Sequence, residues 1–245
     1  EKDAGEDAWS ATNKGFDFAS MYLQVNNIWK IKQINIGDYN ANFGQGLVIG
    51  NSSLFGKSSN TTISILPKEG LKKHSSCNEN NFLRGAGMTF GIKSIESTFF
   101  VSHRKKDANI SNQRITSFKT DGLHRTENEI SKKRNITENI LGINLTYKRR
   151  QLQVGITAMF YHYSDTLSPA NLMYNRFRIS DDNQHFNIGI NYKYNRKRIS
   201  LFGESAINAY AGLATLNGLS IRPNSRLNLL VIERMYQPHY QANYS

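Results

Sequence analysis

At 245 residues with a net charge of +12 and 38% hydrophobic residues, the chain is long enough for one large domain or two small ones. Its apolar runs stay short, as in Leu47-Val48-Ile49 and Leu229-Leu230-Val231-Ile232, which excludes a membrane-spanning helix but not a barrel that crosses with alternating strands. The single Cys77 excludes an internal disulfide, a cysteine zinc set and a redox pair.

Residues 1–15 are polar and acidic and read as a loop or linker. From residue 16 alternation begins. Ala19, Met21, Leu23 and Val25 form one apolar face, Asn26-Asn27 signals a turn, and a second strand is expected from Trp29 to Tyr39. The stretch Asn40 to Gly46 is too polar and glycine-rich for a lipid-exposed wall. It is expected to bend into the lumen or cover a mouth, with Asp38 and Gln45 bonding to inward polar groups and Gly46 allowing a tight turn.

Gly50 to Ser58 imitates a phosphate-binding loop, but five residues separate Gly50 from Gly56 where that loop has four. Gly85, Gly87 and Gly91 alternate along a strand with Ala86, Met88 and Phe90. They make room for a neighbouring side chain or plug rather than forming a dinucleotide turn. Further strands follow with Leu141, Ile143 and Leu145; with Leu152, Val154, Ile156 and Phe160; and with Phe186, Ile188 and Ile190.

Short turns at 148–150 and 195–198 contrast with long connections at 50–62, 67–81, 104–115 and 165–176, the asymmetry of a membrane barrel. Thr126 to Asn139 reads as a short helix or loop at the rim or in the lumen. Trp29, Tyr39, Tyr147, Tyr161, Tyr163, Tyr192, Tyr194 and Tyr236 near strand ends suggest an interfacial girdle.

The fold expected is all-β: an antiparallel up-and-down transmembrane β-barrel, or a large part of one. On roughly 20 residues per strand and connection, residues 16–245 supply about 10–12 strands. Ala86, Met88, Phe90, Leu141, Ile143, Leu145, Ile156 and Ile190 should face outward, and Gln33, Asn144, Thr157, Asn187 and Glu204 inward.

The candidate lumen or plug residues are the charges within strands, Arg84, Glu96, Glu204 and Arg234, together with Asp38, Gln45 and Gly46 of the inward-bending stretch. A ladder of Glu204 with Arg84 or Arg234 would fix the barrel's shape. Arg84 has the outward parity of Ala86 and Met88, so it points inward only across a bulge and otherwise sits at the strand end near headgroups. Asp181, Asp182 and His185 stand close enough to suggest a rim hydrolase, and His124 has no serine in a nucleophile context. No metal, cofactor or catalytic residue is assigned.

Several segments together resemble a known family. They are GDYNANFGQGL from Gly37, then Phe55-Gly56-Lys57-Ser58, FLRGAGMTF from Phe82, DGLHRTENEISKK from Asp121, FGESAINAYAGLATLNG from Phe202, and the Arg234, Tyr236 pair. The chain from about residue 16 is similar to the outer-membrane barrel region of bacterial proteins labelled helix-hairpin-helix domain-containing. The hairpin-helix module itself is absent here, and the family supplies no activity.

The resemblance implies a bacterial outer-membrane location, contact with outer-membrane lipid and lipopolysaccharide, and a periplasmic partner domain. The leading expectation is a non-enzymatic channel, transporter or assembly component. The alternative, prompted by the charge and the family label, is a nucleic-acid-handling protein. The chain opens EKDAGEDAWS with no signal-peptide pattern and ends Tyr244-Ser245 without a terminal Phe. It is expected to be a fragment of a larger barrel.

Overall fold

The computed structural model describes residues 18–50, 69–76, 78–169 and 182–244. The linker at 1–15, most of the Gly50–Ser58 imitation, Cys77 and Asp181 lie outside them. The described residues form a nearly all-β structure, one sheet of thirteen strands. The wall is an up-and-down meander of β1 (Tyr22–Ile28), β2 (Ile31–Asn42), β4 (Leu83–Ile92), β5 (Ile95–Lys106), β8 (Ile136–Arg149), β9 (Leu152–Leu167), β10 (Asp182–Arg196), β11 (Ile199–Asn208), β12 (Leu213–Ile221) and β13 (Leu229–Tyr236), each paired antiparallel to the next.

Three short strands leave this path. β3 (Gly70–Lys73) pairs with the end of β2; β6 (Ala108–Ser111) and β7 (Arg114–Phe118) form a hairpin, and β7 touches β9 in parallel. The meander is a large part of a barrel, and among the described residues β1 and β13 are not joined.

Alternation determines the wall. In β8, Ile136, Glu138, Ile140, Asn144 and Thr146 are buried on the inner face, while Leu141, Ile143 and Leu145 are exposed on the outer one. Ile156 and Ile190 are also outward, and Asn144, Thr157, Asn187 and Glu204 inward, as the sequence predicts. A register shift between Ile31 and Gln33 lets Lys32 run across Gly91 to Glu96 on the inner face.

Sequence and structure part at several places. The first turn falls at Trp29-Lys30, not Asn26-Asn27. The connections at 67–81 and 104–115 contain β3, the end of β5, β6 and part of β7, because alternation persists through the cationic run Arg104 to Lys106. Tyr39, Tyr161 and Tyr163 are not interfacial: all three are fully buried on the inner face. The polar stretch after Thr126 starts with a four-residue helix, α1 (Glu127–Ile130), which begins at a capping box between Thr126 and Glu129 and itself has no buried residue. Hydrogen bonds to the exposed Glu129 carboxylate from the Arg125 and Thr126 backbone pull its pKa down to about 2.

Candidate functional site

The inside of the curved sheet is filled by the chain itself. Beyond Asn42 the backbone leaves the wall and turns back at Gly44 and Gly46, both at positive φ, so that Asn42 meets Gly50 and the Phe43 N–H donates to Ile49. Phe43, Leu47, Val48 and Ile49 are buried, and Phe43 stacks on Phe100 with ring centroids 5.9 Å apart. The expectation that this stretch enters the lumen is met.

Glu204 holds it there. Its carboxylate, on the inner face of β11 and 1% exposed, accepts the backbone N–H of Gln45 at 2.5 Å and of Leu47 at 3.1 Å. Backbone amides turned toward one point form a concave anion-binding nest, and here the anion is a side chain of the wall. A side chain at Gly44 would lie 2.7 Å from that carboxylate, so both the space and the φ of +58° require glycine. Gly189 on β10 leaves the notch that Val48 fills, 2.8 Å from where a Cβ would stand. Gly87 similarly lies under Leu71, as its strand parity predicts.

The C-terminal segment straps the inner one. The Tyr240 hydroxyl donates to the Leu47 carbonyl at 2.7 Å, and the Gly50 N–H to the Tyr244 carbonyl at 2.7 Å. Asn208 and Asn187 hold the strap to the wall through the carbonyls of His239 and Gln241. The Tyr244 hydroxyl donates to buried Glu138, which also meets Arg104 and Lys106 at 3.4 and 3.2 Å. Sequence reasoning missed this cluster by reading 104–115 as a long connection and 126–139 as a short helix or loop. The shared parity of Thr98, Ser102 and Arg104, and of Ile136, Glu138 and Ile140, was the available signal.

Toward the short turns the lumen opens into a polar cavity of about 140 Å³, lined in part by Gln33, Glu69, Glu96, Thr98, Asn144 and Lys148. Glu96 is bridged by Lys32 and by Lys148, the latter at 2.8 Å. Glu69 accepts from Gln153, and burial raises its pKa above the usual carboxylate value.

The remaining candidates are scattered. Asp38 is buried and bound by Arg84 through two bonds of 2.6 and 2.9 Å, but both side chains have outward parity. They lie at the strand end, where Asp38 also accepts the Met21 N–H and Arg84 reaches the Ala19 carbonyl. Neither is a lumen residue, and no bulge turns Arg84 inward. Gln45 contributes its backbone, and Gly46 its backbone turn. Arg234 is exposed on the edge strand β13 opposite Leu216. Glu204 therefore makes no ladder with Arg84 or Arg234.

Asp182 accepts from Tyr210, whereas His185 is buried against Tyr161 with centroids 4.9 Å apart. His124 is tied to Asp107 at 2.6 Å, and Asp107 also takes the Arg134 N–H. Among the described residues no cluster of His, Cys, Asp and Glu could hold a metal ion. The chain matches no protein family, no curated protein and no solved structure with which it was compared.

Proposed function

We propose that the chain is the wall of a bacterial outer-membrane β-barrel whose lumen its own inner segment closes, serving as a non-enzymatic channel, transporter or assembly component. The outer face carries this reading. Adjacent strands place Val101, Leu141, Phe160 and Phe186 in one exposed outward row, and Phe99, Ile143, Ala158 and Ile188 in the next. The apolar rows run for about nine residues along β8, β9 and β10, the length a tilted strand needs to cross a bilayer. A polar row of His103, Asn139, His162 and Gln184 bounds them on one side, and cationic turns bound them on the other. In a soluble protein so large an apolar surface would need a cover. The sequence likeness to outer-membrane barrel regions agrees with this reading.

The test is insertion. Full-length protein should fractionate with the outer membrane and show heat-modifiable gel mobility. Ile143→Arg, pointing outward in mid-band, should cost about 2–4 kcal/mol of folding free energy in bilayers, and the inward Thr146→Ser much less. Equal effects of the two, or recovery in the soluble fraction, would refute the membrane assignment.

A further inference from the structure

The two ends of the wall differ in how their charges are satisfied. At the long-loop end several cations have carboxylate partners, Arg84 with Asp38, Arg104 and Lys106 with Glu138, Lys119 with Asp121, Arg125 with Glu129, while Lys73 and Lys105 are exposed and among the described residues make no ion pair. At the short-turn end Lys30 and Lys93 stand in the β1–β2 and β4–β5 turns, Arg149 and Arg150 at β8–β9, and Arg196 and Arg198 at β10–β11. All six are exposed, and among the described residues none of them makes an ion pair. Of the described carboxylates at this end, Glu69 and Glu96 point into the lumen and are engaged by Gln153, Lys32 and Lys148, and Glu233 on the edge strand β13 accepts from Asn217.

These cations also adjoin aromatic groups on the outer face. Arg149 continues the outward row of Tyr147, and Arg196 that of Tyr192 and Tyr194, by strand parity. Trp29 is 88% exposed, with the Lys30 ammonium 4.5 Å from its ring. Guanidinium forks match phosphate oxygens, and aromatic rings settle at headgroup depth.

We propose that the short-turn end is a docking surface for the phosphate headgroups of an anionic phospholipid leaflet. This rests on the membrane reading above. Turns this short hold the arginines flush with the wall, beside the apolar band, and short turns face the phospholipid leaflet in bacterial barrels. A nucleic acid would use the charge and could stack on the outward tyrosines, but would leave the adjoining apolar rows unexplained.

The two tryptophans allow a direct test. With Trp9→Phe, Trp29 alone reports on the full chain reconstituted in phosphatidylcholine bilayers doped with brominated phosphatidylglycerol or brominated phosphatidylcholine. The anionic quencher should act at a severalfold lower mole fraction. Lys30→Gln and Lys93→Gln, in the turns beside Trp29, should each reduce that preference by up to about fivefold at low salt, and added salt should weaken it. Equal quenching by both lipids, or an unchanged preference in the double variant, overturns the proposal while leaving the membrane reading standing. Quenching by neither overturns both. Duplex DNA that binds the wild type but not the double variant, with no lipid preference, would make this a nucleic-acid surface instead.

Discussion

Removing the Glu204 carboxylate should free the segment that fills the lumen. In Glu204→Ala the N–H groups of Gln45 and Leu47 lose a charged acceptor inside the barrel. Each bond to a charged group is worth about 1.5–3 kcal/mol, and an orphaned buried donor costs about 1–3 kcal/mol. Two orphaned donors therefore cost about 2–6 kcal/mol, and the lower end applies if water from the neighbouring cavity reaches them. Even 2 kcal/mol raises the open population about 30-fold. Amide hydrogen exchange of Gln45 and Leu47 is the assay, because local opening exposes these groups directly. Exchange should accelerate by at least about 30-fold in Glu204→Ala and by less in Glu204→Gln, which keeps an acceptor oxygen but no charge. The outward neighbour Ser205→Ala should leave it unchanged. Unaltered protection in Glu204→Ala would show that apolar packing and the C-terminal strap hold the segment, and that the carboxylate does not.

Gly142→Ala places a methyl group 2.0 Å from the Phe100 ring. It should lower unfolding free energy by about 1–3 kcal/mol, and Phe100→Leu in the same chain should recover much of that loss; additive effects would refute the contact. Tyr244→Phe removes a hydrogen bond to buried Glu138 and should cost about 1–3 kcal/mol, with faster proteolytic cleavage within residues 237–244 as the readout and wild-type resistance as the refuting result. Glu129 has its pKa depressed from 4.5 to about 2 in the folded state. Its support of α1 is therefore complete above the unfolded value and is lost as pH falls through about 2. Amide exchange of Glu129 and Ile130, corrected for the intrinsic pH dependence, should report that loss; a flat profile from pH 5 to 2 refutes the capping role.

The wall was legible because a period of two leaves little freedom once one face is apolar. Leu141, Ile143 and Leu145 fix β8, and the rest of that strand follows by parity. Glycine and polarity after Asp38 also announced a segment leaving the wall. Its attachment was not legible, since the groups that meet Glu204 are backbone amides, which no sequence pattern distinguishes. Arg84 had readable outward parity, yet Asp38 was expected among inward groups, although as the partner of Arg84 across β2 and β4 it shares that face. Tyrosine was ambiguous in principle: its ring and hydroxyl suit a membrane interface or a wet lumen equally. Tyr39 went inward because its hydroxyl finds the carbonyls of Ala86 and Val101, a long-range match invisible in the chain. Runs of charge misled most. Arg104 and Lys106 continue a strand because Glu138 waits opposite on the same inner face.

The filled lumen narrows what such a barrel can do. Opening a path past the inner segment exposes Phe43, Leu47, Val48 and Ile49, each buried at 4% exposure or less. At about 1.5–3 kcal/mol per buried apolar side chain the gross cost is roughly 6–12 kcal/mol, an upper estimate because an opened segment would rebury part of that surface. The bonds of Gln45 and Leu47 to Glu204, and of Tyr240 and Gly50 within the strap, add to it. Even 6 kcal/mol leaves the open state below about one molecule in ten thousand. A pore conducting freely at rest is thus disfavoured within the proposed function. A transporter or assembly component fits better, because a partner or substrate that binds only the open arrangement can supply the missing free energy. Single-channel recording separates these readings: wild-type barrels should be almost always closed, Glu204→Ala should open measurably more often, and a steady open conductance in the wild type would refute the argument.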